Sequence, residues 1–188
     1  DTDASCKPPE RTDFKQLAPG LYLVATPIGN AADITLRALD ILSRADIVLC
    51  EDTRISGKLM KTHDIQASMQ SYHEHNAERV RPMIMKHLGQ GKVVAMISDA
   101  GMPLVSDPGY KMVKACVNEG VMVTAAPGPS ATLTALVISG LPTDRFFFQG
   151  FLPPKAGARQ KSLSEISTIP GTLIFLESKL YFFMNKFL

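Results

Sequence analysis

The sequence has 188 residues, of which 45% are hydrophobic and 20% are charged. This composition excludes a largely disordered chain and allows one well-packed core with part of a second. The formal net charge of +2 neither demands nor excludes a polyanionic partner, so local clusters of charge must decide that question. Three cysteines, Cys6, Cys50 and Cys116, lack any metal-binding spacing, which indicates a reducing compartment, no structural zinc and a cytoplasmic protein.

The first residues carry no sign of a folded element. Residues 1–18 contain Pro8, Pro9 and mixed charges without periodicity, which predicts a disordered arm. No basic region leads into an apolar one, and the longest apolar stretches are of strand length. The sequence therefore predicts no signal peptide and no membrane span, with the first folded domain covering residues 19–145.

Strands and helices alternate through that domain. A buried-strand pattern runs into the turn sequence 26–30, and Asp33 is expected to cap the helix that follows. Ser130 is expected to cap a later apolar helix over residues 131–139. Apolar runs typical of strands occupy residues 21–25, 46–50, 68–71, 93–97 and 121–125.

The longest glycine- and proline-rich loop covers residues 98–109, between a strand and a helix. Asp107 followed by Pro108 is typical of a helix start, with aspartate as the N-cap and proline in the first turn. Backbone N–H groups at a helix start favour an anion, and such loops line the ligand crevice of open α/β sheets. A tight turn without a ligand is the alternative interpretation.

Other strands end in the same way, in loops rich in Gly, Pro, Asp, Ser or Thr, whereas the opposite loops are ordinary. This one-sided pattern predicts an α/β fold with a doubly wound parallel sheet and a single ligand crevice. Neither the dinucleotide fingerprint nor the Walker phosphate loop is present. The residues alone thus indicate a domain that binds a small, partly anionic ligand.

Ionisable side chains cluster at two of these strand ends. Residues 51–54, Glu-Asp-Thr-Arg, follow a buried strand and are expected at the mouth of the crevice, although ordinary surface charge is the alternative. His73 and His75 flank Glu74 and invite a metal interpretation. We expect no metal site, because no further Cys or His cluster supplies the missing ligands.

A second, incomplete α/β unit with its linker is expected over residues 146–188. A basic Gly/Pro-rich loop at 153–161, a helix at 162–166 and a strand at 172–176 follow the strand that leaves the first domain. The basic loop is either a solvated linker or a polyanion contact. Because one or two strands form no stable sheet alone, this unit must pack on the first domain, pair with another chain or belong to a longer protein.

At this point the motifs themselves carry a resemblance. In order along the chain they resemble those of the ribosomal RNA small subunit methyltransferase I family, whose fold is that of the tetrapyrrole (corrin/porphyrin) methylases. The resemblance covers about residues 20–178. The motifs are VATPIGN (24–30), DITLRAL (33–39), EDTR (51–54), SYHEHN (71–76), SDAG (98–101) with SDPGY (106–110), PGPS (127–130), SGLPTDR (139–145) and GFLP (150–153).

The resemblance implies S-adenosylmethionine as the methyl donor and 2′-O-methylation of a cytidine in 16S rRNA of the small ribosomal subunit, by a homodimer with no membrane association. RNA phosphates would be contacted by arginine and lysine side chains. The implied RNA-binding residues are Arg54, Lys155, Arg159 and Lys161. The candidate proton acceptors, left unranked, are Glu51, Asp52, His73 and His75. The implied cofactor contacts are Pro27, Gly29, Asp99, Ala100, Gly101, Pro127, Gly128 and Ser130.

Three departures accompany the resemblance. Met102 stands where the family usually has Thr, and Glu177-Ser-Lys-Leu180 replaces the usual Glu-Ser-Pro-His-Arg. The family also continues through the rest of a second domain, so the activity of this chain is left open. Two alternatives are a tetrapyrrole or other small-molecule methylase, which would replace the basic RNA face with an apolar pocket, and an inactive RNA-binding fragment.

Overall fold

A computed structural model describes residues 16–105 and 109–177. The strands are β1 (Gly20–Val24), β2 (Ile47–Cys50), β3 (Met69–Ser71), β4 (Val93–Met96), β5 (Val123–Ala126), β6 (Phe146–Phe151) and β7 (Thr172–Leu176). The helices are α1 (Leu36–Arg44), α2 (Thr53–Thr62), α3 (Ala77–Gly89), α4 (Tyr110–Asn118), α5 (Ala131–Ile138) and α6 (Ala156–Ile166), with a 3₁₀ turn at Ala31–Asp33.

The first five strands form one sheet in the order β3-β2-β4-β1-β5, and every neighbouring pair is parallel. Because all five run in the same direction, their carboxyl ends meet at a single edge of the sheet. The predicted parallel α/β fold is confirmed. The loops that follow these strands therefore converge on one side of the protein.

Helices cover both faces of this sheet. Alternate strand residues point to opposite faces, so Tyr22 packs in one cluster and its neighbour Leu21 in the other. The first cluster also takes buried residues of α1 and α2, and the second takes those of α3 and α4. Burial on both sides explains why the strands are almost continuously apolar in sequence.

The start of α1 differs from the prediction. Asn30 Oδ1 accepts a hydrogen bond from the N–H of Ala32, which folds Ala31–Asp33 into the 3₁₀ turn. Asp33 therefore lies inside that turn and is not the cap. Thr35 caps α1 instead, because its extended backbone lets its Oγ1 accept from the N–H of Ala38 at 3.0 Å.

The basic segment also differs from the prediction, since most of it is helical. Helix α6 begins at Ala156, two positions after the second proline, and its first backbone bond runs from the N–H of Arg159 to the carbonyl of Lys155. The Arg159 Nε donates to the carbonyl of Pro153 at 3.1 Å. Prolines just before a helix do not interrupt its hydrogen bonds, so the predicted loop was wrong.

The strands β6 and β7 form a separate two-stranded parallel sheet. Thr172 links it to the preceding loop, because its Oγ1 donates to the carbonyl of Pro142 at 2.7 Å. Helix α5 contacts β7. The predicted cap residues Asp107 and Pro108, most of the predicted N-terminal arm and the Ser178–Leu180 departure lie outside the described residues, and α4 begins at Tyr110 with Gly109 before it.

Candidate functional site

Two buried hydroxyl groups join the loops after β1 and β4. Thr26 and Gly101 exchange backbone hydrogen bonds at 2.9 and 3.0 Å, in an antiparallel bridge beyond the ends of the parallel strands. The Thr26 hydroxyl, which is buried, donates to the carbonyl of Ser98 at 3.1 Å. The Ser98 hydroxyl in turn lies 3.2 Å from the carbonyls of Ala100 and Gly101. These bonds fix the shape of the loop that carries Asp99.

Glycines set how closely the neighbouring loops approach. Gly101 has a φ of +82°, and a Cβ there would lie 3.3 Å from Ile28 Cγ2. A Cβ on Gly128 would lie 3.0 Å from the Cβ of Ala25. Gly29 is exposed, and a Cβ on it would meet nothing within 4 Å. The loops after β1, β4 and β5 thus form a close backbone cradle with open space above Gly29.

Beside this cradle lies a polar cleft of about 460 Å³. It is formed at the carboxyl ends of β2, β3 and β4, and four of its residues are the predicted proton acceptors. Its lining residues are Glu51, Asp52, Thr53, Arg54, Ser71, His73, His75 and Asp99. The structure therefore brings together side chains that are up to 48 positions apart in sequence, counting from Glu51 to Asp99.

Asp52 and Arg54 form an ion pair at the rim of this cleft. The Asp52 carboxylate accepts from Arg54 Nη2 at 2.7 Å and from the Arg54 backbone N–H at 2.8 Å, so it also caps α2. The hydrogen bonds from Arg54 lower the pKa of Asp52 to about 2. Asp52 is consequently a weaker base than an unpaired aspartate. The Arg54 side chain is 87% exposed despite the pairing.

The turn after β3 carries the two histidines. Their ring centroids lie 5.9 Å apart in an edge-to-face arrangement. His73 is half-buried, with no hydrogen-bond partner for its buried Nδ1 among the described residues, whereas His75 is exposed. Tyr72, which is buried, ties the start of the turn to β2 through a 2.8 Å bond from its N–H to the carbonyl of Cys50.

Asp99 connects the cradle to the cleft. Its Oδ1 accepts from the backbone N–H of Asp52 at 3.2 Å, and its loop is the one held by Thr26 and Ser98. A predicted cofactor contact thus lies among the predicted proton acceptors. A cofactor in the cradle and a substrate group in the cleft can therefore lie side by side along this edge of the sheet.

Most of the chain matches a known protein family. Residues 20–183 match the family described as Tetrapyrrole (Corrin/Porphyrin) Methylases. The chain belongs to this family. Membership implies S-adenosylmethionine as the cofactor, and the cradle of Gly101 and Gly128 fits a ligand that approaches the backbone closely.

Curated relatives give a finer similarity. The chain is 55% identical over 164 residues to "Ribosomal RNA small subunit methyltransferase I" of Mesorhizobium japonicum, covering 87% of this chain and 56% of that protein. It is 48% identical over 162 residues to the protein of the same name from Rickettsia prowazekii, covering 86% and 58%. The chain spans about half the length of the curated relatives it matches.

Solved structures show the same fold. Uroporphyrin-III-C-methyltransferase from Thermus thermophilus has a TM-score of 0.56 and 22% identity, with 78% of this chain and 74% of that chain covered. Diphthine synthase has a TM-score of 0.64 and 15% identity, with 85% and 64% covered. These similarities support the fold through backbone structure, independently of the sequence motifs.

The predicted residues fall into three groups. Those assigned to proton transfer line the cleft, and the glycines assigned to the cofactor lie in the cradle loops, where Ser130 also caps α5 through its Oγ and the N–H of Leu133. Lys155 instead is the N-cap residue of α6, and Arg159 and Lys161 lie within that helix. The three residues thus lie on the helix that connects β6 and β7, whereas Arg54 lies in α2, which follows β2 of the first sheet.

Sequence reasoning missed the residues that hold these loops in place. Thr26, Ser98 and Asn76 receive no role from the motifs, yet each makes a side-chain bond that fixes a loop of the site. Their common signal is a polar residue within five positions of the end of a strand, where an unpaired carbonyl or N–H needs a partner.

The described residues contain neither a membrane-spanning helix nor a group of metal-ligand side chains. Within 16–105 and 109–177, none of the helices is both long and apolar enough to cross a membrane. Over the same ranges, three or more Cys, His, Asp or Glu side chains nowhere come together in a way that could hold a metal ion.

Proposed function

We propose that the protein is an S-adenosylmethionine-dependent methyltransferase that modifies the 2′-hydroxyl of a cytidine in small-subunit ribosomal RNA. The observation that carries this proposal is the adjacency of a glycine-lined cradle and a polar cleft that is lined by the candidate proton acceptors. The 55% identity to a relative named for small-subunit rRNA methylation supports the choice of substrate.

The cradle would hold the cofactor. Close backbone approach is available at Gly101 and Gly128, and the carboxylate of Asp99 adds a hydrogen-bond acceptor at the border with the cleft. The remaining proposed contacts are Pro27, Gly29, Ala100, Pro127 and Ser130. When bound, S-adenosylmethionine supplies an electrophilic methyl group on a sulfonium sulfur.

The cleft would hold the ribose hydroxyl. Aligning that oxygen with the methyl carbon supplies much of the rate enhancement in a displacement of this kind. As the O–C bond forms and the S–C bond breaks, the hydroxyl proton must pass to a base. Glu51, His73 and His75 are the candidates, because the Asp52 carboxylate is already bonded to Arg54.

Basic side chains would contact the RNA backbone. Arg54 lies at the rim of the cleft, and the exposed side chains of Lys155 and Lys161 lie on α6 with the half-buried Arg159. Arginine and lysine at these places suit phosphate oxygens. We further propose that the protein acts in the cytoplasm on the small ribosomal subunit and does so as a homodimer.

The test is methyl transfer from labelled S-adenosylmethionine to small ribosomal subunits that lack the modification. Nucleosides from the digested RNA are then separated, and label in 2′-O-methylcytidine is the expected result. The Mesorhizobium relative serves as the positive control for the substrate. Label in a base, or transfer to a tetrapyrrole with none to RNA, would contradict the proposal.

Calorimetric titration of S-adenosylmethionine separates a methyltransferase from an inactive RNA-binding chain. We expect heat of binding that saturates with one site per chain. RNA binding without any cofactor binding would instead support the inactive chain.

A further inference from the structure

The turn that carries the two histidines is closed by the side chain of Asn76. Its Oδ1 accepts the backbone N–H of His73 at 2.9 Å, and its Nδ2 donates to the carbonyl of Ser71 at 3.0 Å. One carboxamide therefore bonds the backbone on both sides of Tyr72.

Asn76 makes these bonds from a position that usually serves another purpose. It directly precedes α3, where asparagine normally accepts from an N–H of the first helical turn, but its side chain makes no such bond. Instead, the N–H groups of Asn76 and Ala77 donate to the carbonyl of His73 at 3.1 and 2.9 Å. The arrangement is the returning half of a capping box, with His73 in the role of the cap residue.

This geometry fixes the backbone from which the His73 ring projects. The other charged or titratable groups of the cleft are Glu51, Asp52 and Arg54 after β2, Asp99 after β4, and His75 on the same turn. Of these groups, His75 meets the His73 ring edge to face, with the ring centroids 5.9 Å apart. The backbone of His73 is held by the Asn76 side chain, which thereby sets where the imidazole ring lies in the cleft.

We infer that Asn76 is a positioning residue for His73 in the methyl-transfer reaction, and this inference rests on the proposed function. Asn76 holds the imidazole where it can accept a hydrogen bond from the substrate hydroxyl. It acts only through His73, so it contributes nothing once that ring has been removed. The cofactor cradle contains none of these bonds, and its affinity for the cofactor is independent of Asn76.

The test is a double-mutant cycle in the intact protein, with Asn76→Ala, His73→Ala and the double variant. We expect Asn76→Ala to lower kcat for the ribosomal subunit at least tenfold and to leave the dissociation constant of S-adenosylmethionine within twofold of the parent. In the His73→Ala background, Asn76→Ala should change kcat less than twofold. An equal loss in both backgrounds would overturn the inference.

Asn76→Asp is the conservative variant, since it keeps the acceptor for the His73 N–H and loses the donor to Ser71. It should retain more kcat than Asn76→Ala. Asn118→Ala, at the exposed end of α4, is the matched control for loss of an asparagine. A full loss of kcat in Asn76→Asp with an unchanged fold would speak against positioning through His73.

A nuclear magnetic resonance measurement separates this inference from the proposed function. The imidazole proton shifts of His73 and His75 report the edge-to-face contact of the rings without any turnover. If the parent fails to methylate the subunit, the proposed function fails, while a shift change in Asn76→Ala and none in Asn118→Ala still supports positioning. Unchanged shifts in Asn76→Ala overturn it.

Discussion

The Asp52 carboxylate has two structural tasks at the end of β2, since it caps α2 and binds the Arg54 guanidinium. Hydrogen bonds from the Arg54 side chain, and then from its backbone N–H, lower the pKa of Asp52 from 3.8 to about 2. The folded pKa lies below the unfolded one, so this contribution to stability is complete above the unfolded pKa. It is lost as the pH falls through the folded pKa.

Arg54→Met should raise the pKa of Asp52, because it removes the guanidinium and leaves the backbone cap bond in place. The titration of the Asp52 carboxyl carbon, followed by nuclear magnetic resonance, should move upward from about 2 toward 3.8. Arg37→Met, on the exposed face of α1, is the control and should leave the titration unchanged. An unaltered midpoint in Arg54→Met would show that the cap bond alone sets the pKa.

Single residues were predictable where their role is local in sequence. Ser130 was predicted as the cap of α5 and is confirmed, because it directly precedes an apolar helix. The prediction that Asp33 caps α1 was wrong, because the side chain of Asn30 caps a 3₁₀ turn at Ala31–Asp33 that contains Asp33. The bond from Asp52 to Asp99 joins residues 47 positions apart, and no local pattern carries that information.

The loops beyond the strands derive their shape from the contacts between them. Gly101 lies between the loops after β1 and β5, because a Cβ there would be 3.3 Å from Ile28 Cγ2 and 3.7 Å from the carbonyl oxygen of Pro129. Its φ of +82° is strained for any residue that has a side chain. This position therefore connects the stability of the cradle to its capacity to bind the cofactor.

Gly101→Ala should weaken both properties. We expect a loss of about 1–3 kcal/mol in the free energy of unfolding from backbone strain, and a roughly tenfold or greater rise in the dissociation constant of S-adenosylmethionine, since about 1.4 kcal/mol corresponds to tenfold. Chemical denaturation and calorimetry measure the two effects.

Gly89→Ala is the matched control for that substitution. Gly89 ends α3, and a Cβ there would meet nothing within 4 Å. Alanine in a helix is favoured over glycine by about 0.5–1 kcal/mol, so this variant should be as stable as the parent or more so. Parent-like cofactor binding by Gly101→Ala would show that the cradle is not the binding site.

Helix α6 presents the other proposed RNA contacts on one regular element. Lys161 is exposed and lies 3.9 Å from Glu165, whereas Arg159 is anchored to Pro153 through its Nε. Ion pairs of exposed lysines are weak in water, so Lys161 can exchange its pair with Glu165 for a phosphate contact at little cost.

Replacing Lys155 and Lys161 by alanine should flatten the salt dependence of RNA binding. Each lost phosphate contact should reduce the slope of log affinity against log salt by about 0.7–0.9, because fewer condensed counterions are released. Filter binding of a small-subunit rRNA fragment at several salt concentrations measures this slope. Lys92→Ala, just before β4 at the opposite edge of the sheet, is the control, and equal slopes in all variants would remove α6 from the interface.

Whole elements were more predictable than their edges. The central strands β1, β2 and β4 were found because burial on both faces makes them almost continuously apolar. Strand β5 begins two residues later than expected. The second half of α6 was predicted, as a helix over residues 162–166. Its first half was missed because prolines and Gly157 resemble a loop in composition, and only the position of the prolines before the first turn distinguishes the two.

In the whole molecule, the parallel direction of the strands brings polar loops that are far apart in sequence together into one site. The sequence predicts that polar loops share one edge, because they all follow strands. It does not predict the order β3-β2-β4-β1-β5, which places β4 between β2 and β1. That order makes the loop of Asp99 the boundary between the cradle and the cleft, since it bonds to Asp52 on one side and to Thr26 on the other.

Helix α5 also carries an exposed apolar surface. This helix is apolar on nearly every side, and only Thr132 and Leu136 are buried. Val137 is 69% exposed and Ile138 is 77% exposed, and Phe151 of β6 is also exposed. Helices that are apolar all round are normally buried, and large exposed apolar patches favour association.

Val137→Lys should therefore reduce self-association, because burying a lysine charge in an apolar contact is unfavourable. Sedimentation velocity over a range of protein concentrations should show a shift of the parent's associated species toward the monomer. Val117→Lys is the matched control, since Val117 is 64% exposed at the end of α4, away from α5 in sequence. If both variants associate as the parent does, the contact between copies lies elsewhere. If both dissociate equally, added charge alone explains the effect, and the surface of α5 has no special part in joining two chains.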